Sequence, residues 1–373
     1  MGGQNQSVSV VVSGETKDVK LHNENFRGFA SDNYAGAHPE VIAAIAEANG
    51  GHQIAYGEDV YTARLQKVIR EHFGDQAEAF PVFNGTGANV LALTSVLPRW
   101  GAVISTTTAH IHTDENGAPE RMSGLKLLPV PTLDGKLTPE LIATEAWGWG
   151  DEHRPQPLAV SITQTSELGT LYTVAEIRAI ADFAHERGMV LHLDGARISN
   201  AAAALGCSFA EFTTDAGVDI LSFGGTKNGL LYGEAVVVIN PERSAGLTYL
   251  RKMNAQLASK MRFVSAQLIA LLTDDLWLRS ASHANAMAAR LRGSLEAHLA
   301  SGTISGLQFS RPTQANAVFA ILPPAATARL HESFRFYDWT PATGEVRWMT
   351  AFDTTEDDVD AFVAAIAAEL TGR

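Results

Sequence analysis

Short apolar runs alternate with segments of helical spacing through the middle of the chain, and this alternation restricts the possible folds more than any other feature. The apolar runs are 79–83, 102–105, 125–130, 158–162, 189–194, 218–223 and 234–239. Helical patterns occupy several of the intervals, such as 88–97 and 174–187. Strands joined through helices form a mostly parallel sheet that is covered on both faces. We therefore predict an α/β fold with a mostly parallel sheet flanked by helices.

The two ends of the chain have different patterns. Residues 7–21 alternate loosely between Ser and Val and predict a short hairpin or arm. A helical region extends over 246–299, and short strands at 314–321 and 344–351 precede a last helix at 355–370. A chain of 373 residues suffices for one large domain and a smaller one. We predict an N-terminal arm or hairpin at 1–30, a large domain at 31–269 and a small C-terminal α/β domain at 270–373.

The charge balance and the cysteine content exclude several classes of protein. The 28 Lys and Arg against 41 Asp and Glu give a formal charge of −13, which argues against nucleic acid or an anionic membrane as a partner. No apolar run is long enough to span a membrane, and the first residues lack a signal-peptide pattern. The single cysteine, Cys207, cannot form an intrachain disulfide, and we expect a structural role for it. We therefore expect a cytoplasmic protein with no metal.

Two charged residues directly follow predicted strands. Asp194 ends the run Met-Val-Leu-His-Leu-Asp, and Lys227 lies just beyond the run at 218–223. In an open parallel sheet, ligands bind at the carboxyl ends of the strands. A buried carboxylate or lysine there needs a ligand or partner that compensates its desolvation. Taken alone, the two residues could equally form a plain salt bridge, or the lysine could lie exposed in its glycine loop.

Four groups taken together favour pyridoxal 5'-phosphate (PLP) as a cofactor. A PLP site needs a lysine for a Schiff base, an acid beside the pyridine nitrogen, backbone donors for the phosphate and a flat partner for the ring. Lys227 and Asp194 match the first two requirements. The glycine loop Asn84-Gly-Thr-Gly87 lies between a strand and a helix, where free amides bind phosphate, although a bare turn would explain it equally well. His110 could stack on the ring.

With these segments the chain resembles the L-threonine aldolase family of fold-type I PLP enzymes, from about Phe29 to Phe362. The most specific match is His-Leu-Asp-Gly-Ala-Arg197 together with the Lys227 loop. The resemblance implies a large PLP-binding domain like that of aspartate aminotransferase, with a mostly parallel sheet of the seven-stranded type, and a smaller C-terminal α/β domain. The matching segments are Phe29–Asn33, Tyr56–Asp59, Phe83–Asn89, His110–Ile111, His192–Arg197, Ser222–Gly229, Arg251–Met253, Met261–Arg262 and Val346–Thr350.

The resemblance implies roles around the cofactor. Lys227 resembles the Schiff-base lysine, Asp194 the partner of the pyridine nitrogen and His110 the stacking imidazole. The residues that match phosphate ligands are Gly85, Thr86 and Gly87, and Arg197 also borders the cofactor. Lys252 and Arg262 match basic residues that approach the phosphate from a neighbouring subunit. The implied protein is therefore a dimer or tetramer with shared active sites.

The resemblance also implies the reaction, which is cleavage of a β-hydroxy-α-amino acid to glycine and an aldehyde. L-Threonine, L-allo-threonine and phenylserine are the expected substrates. The residues that match the site for the substrate carboxylate are Ser31, Arg197 and Arg347, with Asp32 and Tyr56 beside them. Arginine suits this role because its planar fork grips a carboxylate at two points.

The chain departs from the family at the segment that follows the central strand. Many members have a histidine there, which can contact the substrate hydroxyl, whereas Ser166 occupies the place in this sequence. The identity of the base that removes the hydroxyl proton is therefore open between Ser166, Glu167 and His110.

Two alternatives remain at this point. The same scaffold could carry out another PLP reaction, such as β-elimination or transamination, which would yield a keto acid instead of glycine and an aldehyde. The glycine loop at 84–87 could instead belong to a non-catalytic nucleotide-binding α/β protein. A purified protein without visible absorbance that binds no added PLP would support that second alternative.

Overall fold

The structure is a computed structural model that describes residues 21–23 and 26–371. The arm or hairpin predicted at 1–30 therefore lies largely outside the described residues. The described strands are β1 Glu78–Val82, β2 Gly101–Thr106, β3 Lys126–Val130, β4 Gln156–Thr163, β5 Val190–Gly195, β6 Ile220–Gly224, β7 Glu234–Val238, β8 Gln308–Phe309, β9 Ala317–Ile321, β10 Tyr337–Thr340 and β11 Glu345–Met349.

The helices of the same part of the chain are interleaved with these strands. Three short 3-10 turns accompany them at Asp32–Tyr34, Thr226–Asn228 and Pro241–Arg243. None of the described helices has the length and apolar content that crossing a membrane requires. The α-helices are α1 Pro39–Ala48, α2 Val60–Phe73, α3 Gly85–Val96, α4 His110–Thr113, α5 Ala118–Ser123, α6 Pro139–Ala143, α7 Val174–His185, α8 Ile198–Leu205, α9 Phe209–Phe212, α10 Leu247–Met253, α11 Arg262–Leu272, α12 Leu276–Ala300, α13 Pro324–Leu330 and α14 Glu356–Leu370.

The larger sheet confirms the predicted mostly parallel, seven-stranded architecture. Within the described residues its strand order is β1-β7-β6-β5-β4-β2-β3. The five strands from β3 to β6 in this order pair in parallel, and β7 is antiparallel to both of its neighbours, β6 and β1. Strands β2, β5, β6 and β7 are buried along their whole length, which explains why their sequences are nearly continuous apolar runs.

The helical region predicted at 246–299 is divided into three helices, α10, α11 and α12. The chain leaves the helical conformation at 254–261 and again at 273–275. Ala255, Asp274 and Asp275 have positive φ angles of 58°, 52° and 54°. A left-handed residue interrupts a right-handed helix, so these positions end it. The sequence interpretation treated the region as continuously helical and missed both breaks, although the second consists of the polar residues Thr273, Asp274 and Asp275.

A second, four-stranded antiparallel sheet has the order β10-β11-β9-β8 among the described residues. Its core includes Trp348 and Phe362, and Phe29 stacks on Phe362 with ring centroids 4.4 Å apart. Helix α12 packs against α8 beside the large sheet and against α14 beside the small one. This core is separate from those on the two faces of the large sheet, and the division into domains at 31–269 and 270–373 remains a prediction.

The topology brings the predicted site residues to one edge of the large sheet. Strands β1, β2, β4, β5 and β6 run in the same direction, so their carboxyl ends share that edge. Because β7 is antiparallel, it contributes its first residue, Glu234, to the same edge. Crevices at this edge are where open α/β sheets bind ligands.

The loops that follow β5 and β6 touch each other through a glycine. A Cβ atom on Gly224 would lie 2.5 Å from the carbonyl oxygen and 2.7 Å from the Cα of Ala196. Both of these are backbone atoms, which cannot rotate away as the end of a side chain could. Only glycine therefore allows the loop that carries Lys227 to approach the loop that follows Asp194.

Replacing Gly224 with alanine tests this close approach. We expect Gly224→Ala to lower the free energy of unfolding by about 1–3 kcal/mol, because the added methyl group overpacks two backbones. Urea unfolding followed by circular dichroism measures the change. Gly293→Ala in α12 is the matched control, since its Cβ would meet no atom within 4 Å. Alanine should stabilise that helix by roughly 0.5–1 kcal/mol, and equal effects of the two variants would contradict the account.

Candidate active site

A cavity of about 290 Å³ opens at the carboxyl edge of the large sheet. Segments that follow β1, β2, β4, β5 and β6 line it, together with the start of β7. The predicted site residues among the lining are Gly85, Thr86, His110, Glu167, Asp194, Arg197 and Lys227. The predicted residues outside the lining are Ser31, Asp32, Tyr56, Gly87, Ser166, Lys252, Arg262 and Arg347.

Lys227 lies on the 3-10 turn Thr226–Asn228 directly after β6. Its amine makes no hydrogen bond and no ion pair with another described residue. Burial lowers the pKa of this amine, and the positive charge of Arg197 lowers it further. Desolvation therefore favours the neutral amine, which is the form that attacks a carbonyl carbon.

Asp194 is the penultimate residue of β5, lines the cavity and is only 5% exposed. Its carboxylate accepts hydrogen bonds from the Asn89 side chain at 2.9 Å and from the Ala196 amide at 3.0 Å. No described Lys, Arg or His side chain lies within ion-pair distance of it. A buried carboxylate without a cationic partner can hold a protonated ring nitrogen of a ligand.

The start of α3 offers backbone donors beside the cavity. Asn84 caps this helix, and its side-chain oxygen accepts from the Gly87 amide at 2.8 Å. The amides of Gly85 and Thr86 donate to none of the described residues. Free amides at the start of a twelve-residue helix bind phosphate. Gly85 and Thr86 therefore fit the predicted phosphate site, whereas the amide of Gly87 is already occupied.

A second carboxylate, that of Glu115, orients His110. The Nδ1 atom of His110 lies 2.8 Å from Oε1 of Glu115, and the Asn89 side chain donates to the same oxygen at 2.8 Å. The hydrogen bond to Glu115 raises the pKa of the His110 imidazole. A network of Asp194, Asn89, Glu115 and His110 thus connects the base of the cavity to the predicted stacking ring.

Glu167 follows β4 and turns its carboxyl group toward His110. Its Oε1 accepts from the His110 amide at 2.8 Å and from the Thr163 hydroxyl at 2.9 Å, while its Oε2 is buried without a partner among the described residues. Burial raises the pKa of Glu167 to about 7, with a further contribution from the negative charge of Asp194. A carboxyl group with this pKa exchanges its proton near neutral pH.

Ser166 is placed differently from Glu167. It is 2% exposed, and its hydroxyl lies 2.6 Å from Thr170 Oγ1 and accepts from the Thr170 amide at 3.2 Å. It does not line the cavity. The structure therefore brings Glu167 and His110 to the cavity and leaves the Ser166 hydroxyl engaged in its own loop.

Arg197 is held by a buried ion pair. Its Nε and Nη2 atoms donate to the two carboxylate oxygens of Asp32 at 2.7 and 2.9 Å. Asn316 donates to the same carboxylate at 3.1 Å. Burial raises the pKa of Asp32, but Arg197, the charge of Lys227 and the Asn316 hydrogen bond together lower it more, so the net direction is down. Asp32 therefore binds the arginine, and the remaining N–H groups of Arg197 are available to a ligand.

Arg347 lies on β11 behind this ion pair. Its Nη2 donates to the Ala30 carbonyl at 3.2 Å, and its guanidinium packs over Trp339 at 4.5 Å from the ring centroid. The Nε atom is buried without a partner among the described residues. Burial lowers the pKa of Arg347 to about 10, and the charge of Arg197 acts in the same direction. Ser31, whose hydroxyl accepts from the Asn33 amide at 3.2 Å, lies in the same segment as Asp32.

Tyr56, Lys252 and Arg262 lie outside the cavity. The Lys252 ammonium is 4.9 Å from the Tyr56 ring centroid, and Tyr56 is 49% exposed. Arg262 donates to the Gly51 carbonyl at 3.2 Å. Tyr56 and Lys252 are exposed and Arg262 is partly exposed, and none of the three is part of the cavity lining.

Asn89, Glu115 and Glu234 are among the polar residues of the cavity lining that sequence reasoning missed. Asn89 was read as part of an apolar helix and Glu234 as the start of an apolar strand. A buried polar residue inside such a run is the one signal that could have revealed them. Among the described residues, no group of three or more His, Cys, Asp or Glu could hold a metal ion.

The ion pair between Asp32 and Arg197 has a measurable effect on stability. Asp32→Asn keeps the shape of the side chain but leaves the guanidinium charge uncompensated, so we expect the free energy of unfolding to fall by about 3 kcal/mol. Asp360→Asn removes one partner of the exposed pair with Arg290 and should change stability little. Urea unfolding at neutral pH measures both. Equal midpoints for the two variants would argue against a supporting role for Asp32.

Comparisons with known proteins agree on one family. The model of the "Beta-eliminating lyase" family matches residues 28–321. A low specificity L-threonine aldolase from a Pseudomonas species is 46% identical over 345 residues, which are 92% of this chain and 98% of that protein. Another protein of that name, from Pseudomonas aeruginosa, is 47% identical over 328 residues, which are 87% of this chain and 93% of that protein.

Solved structures show the same relationship. A threonine aldolase from Leishmania major superimposes with a TM-score of 0.85 at 30% identity, over 91% of this chain and 98% of that chain. An aspartate aminotransferase from Thermus thermophilus superimposes with a TM-score of 0.66 at 17% identity, over 90% of this chain and 89% of that chain. The second likeness concerns the fold alone.

Proposed function

The chain belongs to the β-eliminating lyase family and, among its members, to the L-threonine aldolases, and we propose that it cleaves a β-hydroxy-α-amino acid to glycine and an aldehyde. It is a PLP-dependent lyase, as its motifs predict. The observation that carries the assignment of the site is one cavity that holds an amine without a direct partner, Lys227, and a carboxylate without a cationic partner, Asp194. PLP would bind covalently to the lysine, and its ring nitrogen would form an ion pair with the carboxylate.

The cavity residues fit PLP. Lys227 would bind the aldehyde carbon, Asp194 the pyridine nitrogen, and the amides of Gly85 and Thr86 the phosphate. His110 would stack on the ring, in an orientation that Glu115 holds. Bound PLP supplies an electron sink for the pair of electrons that remains on Cα when a bond to that carbon breaks.

The substrate carboxylate is assigned to the two arginines. Arg197 is fixed by Asp32 and keeps N–H groups free, and the buried Nε of Arg347 has no partner among the described residues. The positive charge of Arg197 lowers the pKa of Arg347, so an anion between the two guanidinium groups would relieve this repulsion. Holding the carboxylate sets the torsion about Cα, and an error of about 1 Å can reduce the rate on the order of a hundredfold.

We assign to Glu167 the role of the base that removes the proton of the β-hydroxyl. Its carboxylate accepts that proton, the Cα–Cβ bond breaks, and the hydroxyl carbon becomes the aldehyde. The electron pair stays on Cα and takes up a proton to give glycine. His110 is a weaker candidate because its hydrogen bond to Glu115 favours the protonated imidazole. Ser166 is a weaker candidate because Thr170 already engages its hydroxyl.

Product analysis tests the proposed reaction. The purified enzyme with PLP should release glycine and an equal amount of aldehyde from L-threonine, L-allo-threonine or phenylserine. The same assay distinguishes the methyl from the phenyl substituent and the two threonine diastereomers. β-Elimination or transamination on the same scaffold would yield a keto acid, and a keto acid without glycine would overturn the proposal.

The pH profile tests the assignment of Glu167. We expect kcat/KM to rise with pH through a midpoint near 7, because Glu167 accepts a proton only after it has lost its own, and burial raises its pKa to about 7. Glu167→Gln keeps the acceptor for the His110 amide and should lower kcat by roughly 10²–10⁴-fold. Ser166→Ala is the comparison variant and should lower it far less. Loss of activity in Ser166→Ala with a nearly active Glu167→Gln would reverse the assignment.

We further propose a dimer or tetramer whose active sites are shared between subunits. Exposed apolar side chains surround the proposed cross-subunit residues, including Ile54 at 65% and Met253 at 72% exposure. Lys252 and Arg262 lie on this surface and outside their own cavity, so they are suited to reach the phosphate of a neighbouring subunit. We place the enzyme in the cytoplasm, with no nucleic-acid or membrane partner.

A variant of Arg262 tests the sharing of sites. Arg262→Ala should weaken the retention of PLP on dialysis and leave the circular dichroism spectrum unchanged, since the residue contacts no cavity group of its own chain. Arg290→Ala removes an exposed arginine elsewhere and is the control. Unchanged PLP retention in Arg262→Ala would count against the cross-subunit role.

A further inference from the structure

Glu234 is a buried carboxylic acid. The sequence pattern did not single it out, and it has no role in the proposed reaction. It is the first residue of β7, pairs with Gly224 of β6 and with Val82 of β1, and is 7% exposed. It lines the cavity with Lys227. A carboxyl group in such a position needs hydrogen-bond donors or a cation, because burial penalises its charge.

The donors come from the turn that carries Lys227. The amide of Gly225 donates to Oε2 of Glu234, and the polar groups of Thr226 lower the pKa of the same carboxyl group. The Thr226 hydroxyl accepts from the Gly233 amide at 3.2 Å. Glu234 therefore binds the segment that directly precedes Lys227, and it connects the 3-10 turn to the start of β7.

Charge reinforces this arrangement. Burial raises the pKa of Glu234 to about 7, whereas the donors from Gly225 and Thr226 and the charge of Lys227 act in the opposite direction. The charge of Lys227 is among the main influences on Glu234. The charged groups that act on the Lys227 amine are Arg197, Asp32, Asp194 and Glu234. Arg197 lowers the proton affinity of the Lys227 amine, and the three carboxylates raise it.

We propose that Glu234 is a positioning residue for Lys227, whose carboxylate holds the turn that carries the lysine and keeps a negative charge beside the lysine nitrogen. The inference rests on the proposed role of Lys227 in binding PLP. Asp194 and Asp32 have other partners, in Asn89 and Arg197 respectively. Glu234 is the carboxylate whose hydrogen bonds all serve the lysine turn.

A pH titration of the visible absorption of the PLP-loaded enzyme tests the proposal. Removal of the negative charge in Glu234→Gln should make the nitrogen that joins Lys227 to PLP easier to deprotonate. We expect the pH midpoint of the band to fall by about one unit. Glu78→Gln removes an exposed carboxylate from the opposite end of the same pair of strands, β1 and β7, and should leave the midpoint unchanged.

A conservative variant separates charge from packing. Glu234→Asp keeps the negative charge, so its midpoint should stay close to that of the wild type even if the turn is less firmly held. A midpoint in Glu234→Asp that falls by about one unit would overturn the proposal, because packing alone would then explain it. This comparison also decides the question if Glu234→Gln does not fold.

The same titration distinguishes a failure of the role proposed for Glu234 from a failure of the proposed PLP site. A wild-type midpoint that is unchanged in Glu234→Gln would overturn the role of Glu234 and leave the PLP site intact. A wild-type protein that forms no visible band with PLP would overturn the proposed function and, with it, the role of Glu234.

Discussion

The desolvation of ionisable groups at one edge of the large sheet is the constraint on which the rest of the site depends. Lys227, Asp194, Glu167 and Glu234 all line one cavity of about 290 Å³. Each charge would be strongly unfavourable there without donors, an opposite charge or a ligand. The chain meets part of this need with neutral donors, such as Asn89 for Asp194 and the Gly225 amide for Glu234. Lys227 and Asp194 are left without such partners, and a PLP ring would supply them.

The same constraint explains why the two carboxyl groups with a pKa of about 7 have different proposed tasks. Glu167 lines the cavity and has one oxygen without a partner among the described residues. Glu234 has its hydrogen bonds committed to the lysine turn. A carboxylate oxygen that accepts no hydrogen bond is suited to take up a proton, whereas a carboxylate whose oxygens already accept hydrogen bonds is suited to hold a neighbouring segment in place. The environment of each carboxyl group, rather than its pKa alone, therefore decides its role.

Much of this could be predicted from the sequence, because strand ends in a parallel sheet share an edge. Asp194, Lys227 and the loop at 84–87 each follow an apolar run, and the structure brings them to one cavity. Residues inside apolar runs carry no such signal, which is why Asn89 and Glu234 were missed. The partner of Arg197 was also out of reach, since Asp32 is 165 positions away and reaches it only through the packing of Phe29 on the small sheet. Helix breaks at Ala255 and Asp274 depend on backbone conformation, which an apolar pattern does not specify.

Reductive trapping tests the central claim, that Lys227 is the residue that binds PLP. The enzyme is incubated with PLP, reduced with sodium borohydride and digested, and the modified peptide is located by mass spectrometry. The account predicts one pyridoxyl phosphate adduct, on Lys227, and none in Lys227→Ala. An adduct on another lysine in the wild-type enzyme, or none at all, would contradict it.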